Sequence, residues 1–206
     1  MQRVIAYIDG FNLYYGLKTK GWRRYYWLNL KLLVENLLGP NEQLIVTKYF
    51  TSRISARPGR SDSPKRQATY IEALETLPDF EIYYGHYLTH PITCRNCGNT
   101  WDIPDEKMTD VNIAVHLLSD AFAGRLDKAL LISGDGDLAG VINKVQAMNP
   151  PKNITVAFPP GRFAAVLEQA ADSCFTIGRG KIAKSQFPKN VVKSDGYVLS
   201  RPESWT

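Results

Sequence analysis

Four aspartates stand where a strand gives way to the next element. Asp9 ends the apolar run "RVIAYID". Asp110 opens the helical stretch "TDVNIAVHLLSDAFAG". Asp135 and Asp137 stand one residue apart after "ALLISG". Carboxylates gathered in one place repel each other and add nothing to a core, so they either share a proton or bind a cation. Oxygen ligands select a hard divalent ion such as Mg²⁺ or Mn²⁺. Such an ion polarises a phosphoryl oxygen and lowers the pKa of a bound water. Asn12, three residues after Asp9, and Ser133, just before the acidic pair, have the chemistry to orient a water or a phosphate. Each Asp taken alone is also a good helix cap, and Asp110 suits the first turn of a helix on dipole grounds. The joint placement of all four is what points to a site.

The elements that would position them follow from the hydrophobic pattern. "RVIAYID", "EQLIVTKYFTSR", "FEIYYGHYL", "KALLISGD" and "NITVAFP" read as five strands. Helical patterns separate them: "NLKLLVENLLG" with Asn29 as cap, "RQATYIEALETL", the stretch after Thr109, "DLAGVINKVQAM" and "FAAVLEQAADSCF". Strands alternating with helices predict an α/β sandwich around a mostly parallel sheet of about five strands. In such sheets ligands bind beyond the carboxyl ends of the strands, which is where the four acids fall. One domain over residues 1–180 is expected, with an insertion at about 89–105. From about residue 181 the chain turns to Lys, Pro and Ser and is expected to run as an extended tail on the surface.

The chain has 206 residues and a net charge of +5. The charge permits a nucleic-acid partner without requiring one. No apolar run reaches membrane-spanning length, and the N-terminal run meets Asp9 too soon for a secretory leader, so a cytoplasmic location is expected. The segment "ISARPGRSDSPKR" reads as a polar loop, and Arg57, Arg60, Lys65 and Arg66 in it suit contact with a phosphate backbone. A solvated surface loop is the plainer account. The aromatics Tyr14, Tyr15, Trp22, Tyr25, Tyr26 and Trp27, interleaved with Lys18, Lys20, Arg23 and Arg24, suit either base stacking or a core or dimer patch.

Cys94 and Cys97 form a C-x-x-C pair followed by Gly98. That spacing is half of a zinc knuckle, and His86 or His90 upstream could complete it. A reduced pair on a loop, or zinc shared between two subunits, are the alternatives. Cys174 reads as a small buried residue in a helix. Three cysteines leave no even framework for disulfides. Whether the chain is a monomer or a homodimer is left open.

"YIDGFNLYYGLK", "EKMTDVNIAVHLLSDAF" and "ALLISGDGDLAGVI" together resemble the NYN domain, in the LabA-like (DUF88) branch of the PIN-like nuclease superfamily. The resemblance covers residues 3–177 and extends into the tail. It implies a PIN-like three-layer α/β/α sandwich that hydrolyses RNA with Mg²⁺ or Mn²⁺. By position Asp9 and Asn12 match the D-G-x-N motif, Asp110 the K-x-x-D-V acid, and Asp135 and Asp137 the S-G-D-x-D acids. Where many relatives carry a further Asp, this chain has His116. That substitution keeps a second reading open, an RNA-binding or regulatory protein with little or no catalysis. A phosphatase or small-nucleotide hydrolase would use the same ion.

Overall fold

A computed structural model describes residues 1–54, 62–148, 150 and 152–205, without the side chains of 88–90 and 102–106. Six parallel strands make the central sheet: β1 (Gln2–Asp9), β2 (Glu42–Thr51), β3 (Phe80–Tyr84), β6 (Lys128–Ile132), β7 (Asn153–Phe158) and β8 (Ser173–Thr176), in the order β3-β2-β1-β6-β7-β8. A two-stranded sheet stands apart from it, with β4 (His86–Thr93) antiparallel to β5 (Thr100–Lys107).

Strand β1 is buried on both faces, as its unbroken apolar run requires. Val4, Ala6 and Ile8 face one layer of helices: α1 (Gly10–Thr19), α2 (Leu30–Leu37), α3 (Ser63–Glu75) and α7 (Arg179–Lys184). Ile5 and Tyr7 face the other: α4 (Thr109–Phe122), α5 (Ala139–Gln146) and α6 (Ala165–Ala170). The result is three layers with a core on each side of the sheet. Asn29 caps α2 as its residue type suggests, accepting the N–H of Leu32 at 2.9 Å.

Four expectations change. The sheet has six strands, because "FAAVLEQAADSCF" is not one helix. Helix α6 ends at Ala170, and Ser173–Thr176 pairs with the edge of β7. Asp172 fixes that register by accepting the N–H of Ile154 at 2.7 Å, so edge pairing overrides an alanine-rich helical pattern. Cys174 therefore lies half-buried on a strand. The third predicted strand breaks at Gly85, where the chain leaves the central sheet for the β4–β5 hairpin. Lys65 and Arg66 belong to the first turn of α3 rather than to a loop, while Arg57 and Arg60 lie outside the described residues.

The region read as an extended tail holds α7 and a small hairpin of β9 (Asn190–Val192) and β10 (Val198–Ser200). Ile182, Phe187, Val191, Leu199 and Trp205 from this region enter the core under α2. Trp27 joins them. It is fully buried, packs on Phe187, Tyr70 and Trp205, and donates its indole N–H to Pro188 O at 2.8 Å. Trp27→Ala should cost about 3–5 kcal/mol and loosen residues 186–205. Thermal unfolding and limited proteolysis would show it, and an unchanged melting temperature would contradict the packing described.

Candidate metal site at the carboxyl edge of the sheet

Strand β1 carries Asp9 to the carboxyl edge and stops, and the same residue caps α1. Its Oδ1 accepts the N–H of Asn12 at 2.9 Å, and its Oδ2 accepts the Asn12 side-chain amide at 2.6 Å. The neighbouring strand β6 ends one residue before Ser133, whose hydroxyl donates to Asp9 Oδ2 at 2.9 Å. The loop then coils on itself: Asp135 N–H reaches Ser133 Oγ at 3.1 Å, and Asp137 N–H reaches Asp135 Oδ1 at 3.0 Å. Asp9 is 1 % exposed, Asp135 half-buried and Asp137 exposed.

Burial pushes the Asp9 carboxyl above its usual pKa, and Asp135 adds to the rise. Three hydrogen bonds from Asn12 and Ser133 oppose it by favouring the charged form. A cation would relieve both the burial cost and the repulsion. The donors here are oxygen atoms, which suits a hard ion.

Asp110 lies in the first turn of α4, which runs back from the carboxyl edge and packs on β1 and the 3₁₀ turn Gly136–Leu138. Met108, the residue before this helix, has φ 81°, a conformation of some cost for a side-chain-bearing residue. Among the described residues no three His, Cys, Asp or Glu side chains converge closely enough to hold an ion. Asp9 and Asp135 are the pair brought together. Mg²⁺ is commonly held by one or two carboxylates, with water and phosphate oxygens filling its shell, so the donor set fits such an ion.

The other residues singled out from the sequence divide. His116 packs its ring on Tyr83 (centroids 3.9 Å apart) and Phe50 (5.7 Å). Burial and Lys48 lower its pKa. Trp27 is core, and Trp22, Tyr25 and Tyr26 pack against the core, which leaves Tyr14 and Tyr15 as the exposed rings of the run. Arg66 donates to Ser63 Oγ, and Lys65 is exposed. On the backbone, His86 and His90 lie back along β4 from Cys94, and the His90 side chain is outside the described residues. They sit eight and four residues back along an extended strand, about 26 and about 13 Å at the usual rise per residue.

Two features escaped the sequence. Arg162, in the loop after β7, extends its guanidinium to 5.8 Å from the ring centroid of Tyr15, which also has Lys18 Nζ at 5.3 Å. A Cβ on Gly134 would sit 2.8 Å from Arg162 Cβ, so glycine there is what admits the arginine beside the acidic loop. On the α4 face, Asp120 is fully buried. It accepts from Tyr7 Oη at 2.6 Å and Lys48 Nζ at 2.7 Å, and pairs with Arg125 Nε at 2.8 Å. Asp120, Lys48 and Arg125, with Arg3 and Glu81, line a cavity of about 310 Å³.

The sequence profile of the NYN domain matches residues 3–178. The chain belongs to the NYN family. Over 98% of its length this NYN protein is 28% identical to 6-hydroxy-3-succinoylpyridine 3-monooxygenase of Pseudomonas putida, and it covers 75% of that protein. A crystallised protein of unknown function from Vibrio parahaemolyticus shares the fold, with a TM-score of 0.57 and 19% identity over 86% of the NYN chain and 94% of the other.

The raised pKa of Asp9 fixes the sign of a pH effect. Between the unfolded value and the higher folded one, the native state binds more protons than the unfolded chain, so this group's contribution to stability falls as pH rises. Asp9→Asn removes that loss. In chelator, the variant's melting temperature should gain on that of the parent protein as pH rises above the ordinary carboxylate range. A difference constant across that rise would mean that burial does not perturb Asp9.

Proposed function

We propose that this NYN protein is a divalent-cation-dependent ribonuclease, of the LabA-like branch, with RNA as its partner. The observation that carries the reading is Asp9, a buried carboxylate at the end of the central strand, hydrogen-bonded by Asn12 and Ser133 and crowded by Asp135. A bound Mg²⁺ or Mn²⁺ would polarise a phosphoryl oxygen and make a bound water more acidic. Asp9 and Asp135 would hold the ion. Asn12 and Ser133 fix the plane of the Asp9 carboxylate, so that the oxygens need not reorganise when substrate arrives.

Asp137, exposed and tied through its N–H to Asp135, would orient the attacking water or take its proton. Asp110 would complete the acidic edge from α4. Lys18 and Arg162, with Lys65 and Arg66 farther along, offer cations to the RNA backbone. Tyr14 and Tyr15 offer rings to unstacked bases. Among the described residues no helix is long and apolar enough to cross a membrane, and we place the protein in the cytoplasm.

A second reading has one observation behind it. The relative named as a monooxygenase matches nearly the whole chain. The cavity beside Arg3, Lys48 and Arg125 has the cations to seat the acid of a hydroxypyridine carboxylate. That chemistry would consume O₂ and a two-electron reductant.

Labelled single-stranded RNA, incubated with Mn²⁺ or Mg²⁺, should be cleaved in the ion's presence and left intact in chelator. Asp135→Asn should lower the rate by two orders of magnitude or more while leaving the fold unchanged, as judged by circular dichroism. RNA bound without cleavage would point to the regulatory alternative. Reductant-dependent oxygen uptake with a hydroxypyridine acid, and no action on RNA, would favour the oxygenase.

A further inference from the structure

The β4–β5 hairpin forms a sheet of its own, and a two-stranded hairpin is marginal in water without help. Its distal part supplies little help. Residues 91–101 are exposed, apart from the half-buried Cys94. Ile92 and Trp101 face each other across the strands and are 37% and 46% exposed. Something is needed to hold the tip, and the tip itself shows what.

Cys94 to Gly98 fold into a tight knuckle. Gly98 N–H donates to Cys94 O at 2.9 Å, and Cys94 N–H donates to Asn99 O at 2.8 Å. Gly98 has φ +69°, which a side chain would resist. This turn brings the backbone N–H groups of Cys97 and Asn96 to the Cys94 sulfur, with the Cys97 thiol beside it. Backbone donors around a sulfur are the outer contacts that steady a metal-bound thiolate. Both thiols are free of disulfide.

We propose that Cys94 and Cys97 are half of a tetrahedral zinc site, completed by the same two cysteines of a second copy of this chain. Structural zinc takes four ligands, commonly four cysteines, and the knuckle supplies two. The register of β4 carries His86 away from the knuckle, and among the described residues no third His, Cys, Asp or Glu joins the pair. A two-fold axis through the ion brings identical patches together, as symmetric dimers require. It would also set the Ile92 and Trp101 pairs of the two copies side by side, removing their apolar surface from water. Arg95, exposed within each knuckle, would offset the negative charge of zinc with four thiolates. The site is independent of the acidic edge and of what that edge does.

The test uses full-length protein, purified under reductant without chelator and supplied with zinc. Elemental analysis gives the metal content, and light scattering the mass, before and after treatment with a strong chelator. The expected result is about one zinc per two chains, with a dimer that falls to a monomer in chelator and reforms when zinc is returned. The double variant Cys94→Ser, Cys97→Ser should bind no zinc and stay monomeric, with unchanged circular dichroism. Zinc-free protein whose thiols react freely would overturn the proposal. So would one zinc per chain on a monomer, since the ligands would then come from within one chain. A dimer that survives both the chelator and the double variant would overturn it too.

Discussion

A buried carboxylate at the end of the most buried strand is the constraint around which this molecule is arranged. Asp9 has almost no contact with solvent, so its charge must be met by protein groups or by a ligand. Every element that touches it serves that need. Helix α1 presents the Asn12 amide at its first turn, β6 ends where Ser133 can donate, and the loop beyond folds so that Asp135 is spaced by its own turn and not by chance. The parallel order of the sheet, with β1 between β2 and β6, is what puts these groups at one edge.

A second buried charge, on α4, lies against β1 and β2. Asp120 is met by Tyr7, Lys48 and Arg125, with Glu81 at 3.7 Å from the lysine. Here the charge is met from within the chain, by a hydroxyl and two cations around one carboxylate. Replacing such a group by an apolar one can be neutral, but deleting one partner leaves a charge stranded, at about 3–5 kcal/mol. The two clusters differ in kind. Asp120 is matched within the chain, whereas Asp9 has neutral donors and a like-charged neighbour, the imbalance that invites a cation.

Much of this was legible in the sequence, and the failures have causes. A short apolar run ending in Asp, followed by Gly and a helical pattern, marks Asp9 and Asp135 because strand burial and helix capping each leave a local trace. Asn29 was readable for the same reason. The strand Ser173–Thr176 was not, because an edge strand is made by its neighbour and "AADSCF" carries a helical composition. Lys48 reads in "VTKYF" as an ordinary polar position, and only the approach of Asp120, 72 residues away, makes it a buried ion pair. Arg162 was silent too, since its place depends on a glycine in another loop having no side chain. The C-terminal region reads as loose because its apolar residues are too sparse for periodicity, yet Ile182, Phe187, Val191, Leu199 and Trp205 join the core.

The position of β1 also sets the order in which the fold can be completed. The strand at the centre of the sheet precedes its sheet partners in the chain, but Ser133, which secures Asp9, lies 124 residues downstream. Pro188, which accepts from Trp27, lies 161 residues beyond it. A growing chain therefore holds its most apolar strand with one edge unpaired until more than half of the protein has emerged. Contacts this distant along the chain close slowly, and open strand edges invite pairing with other chains. During synthesis, then, the centre of the sheet is the segment most in need of shelter, although in the finished protein it is the least accessible.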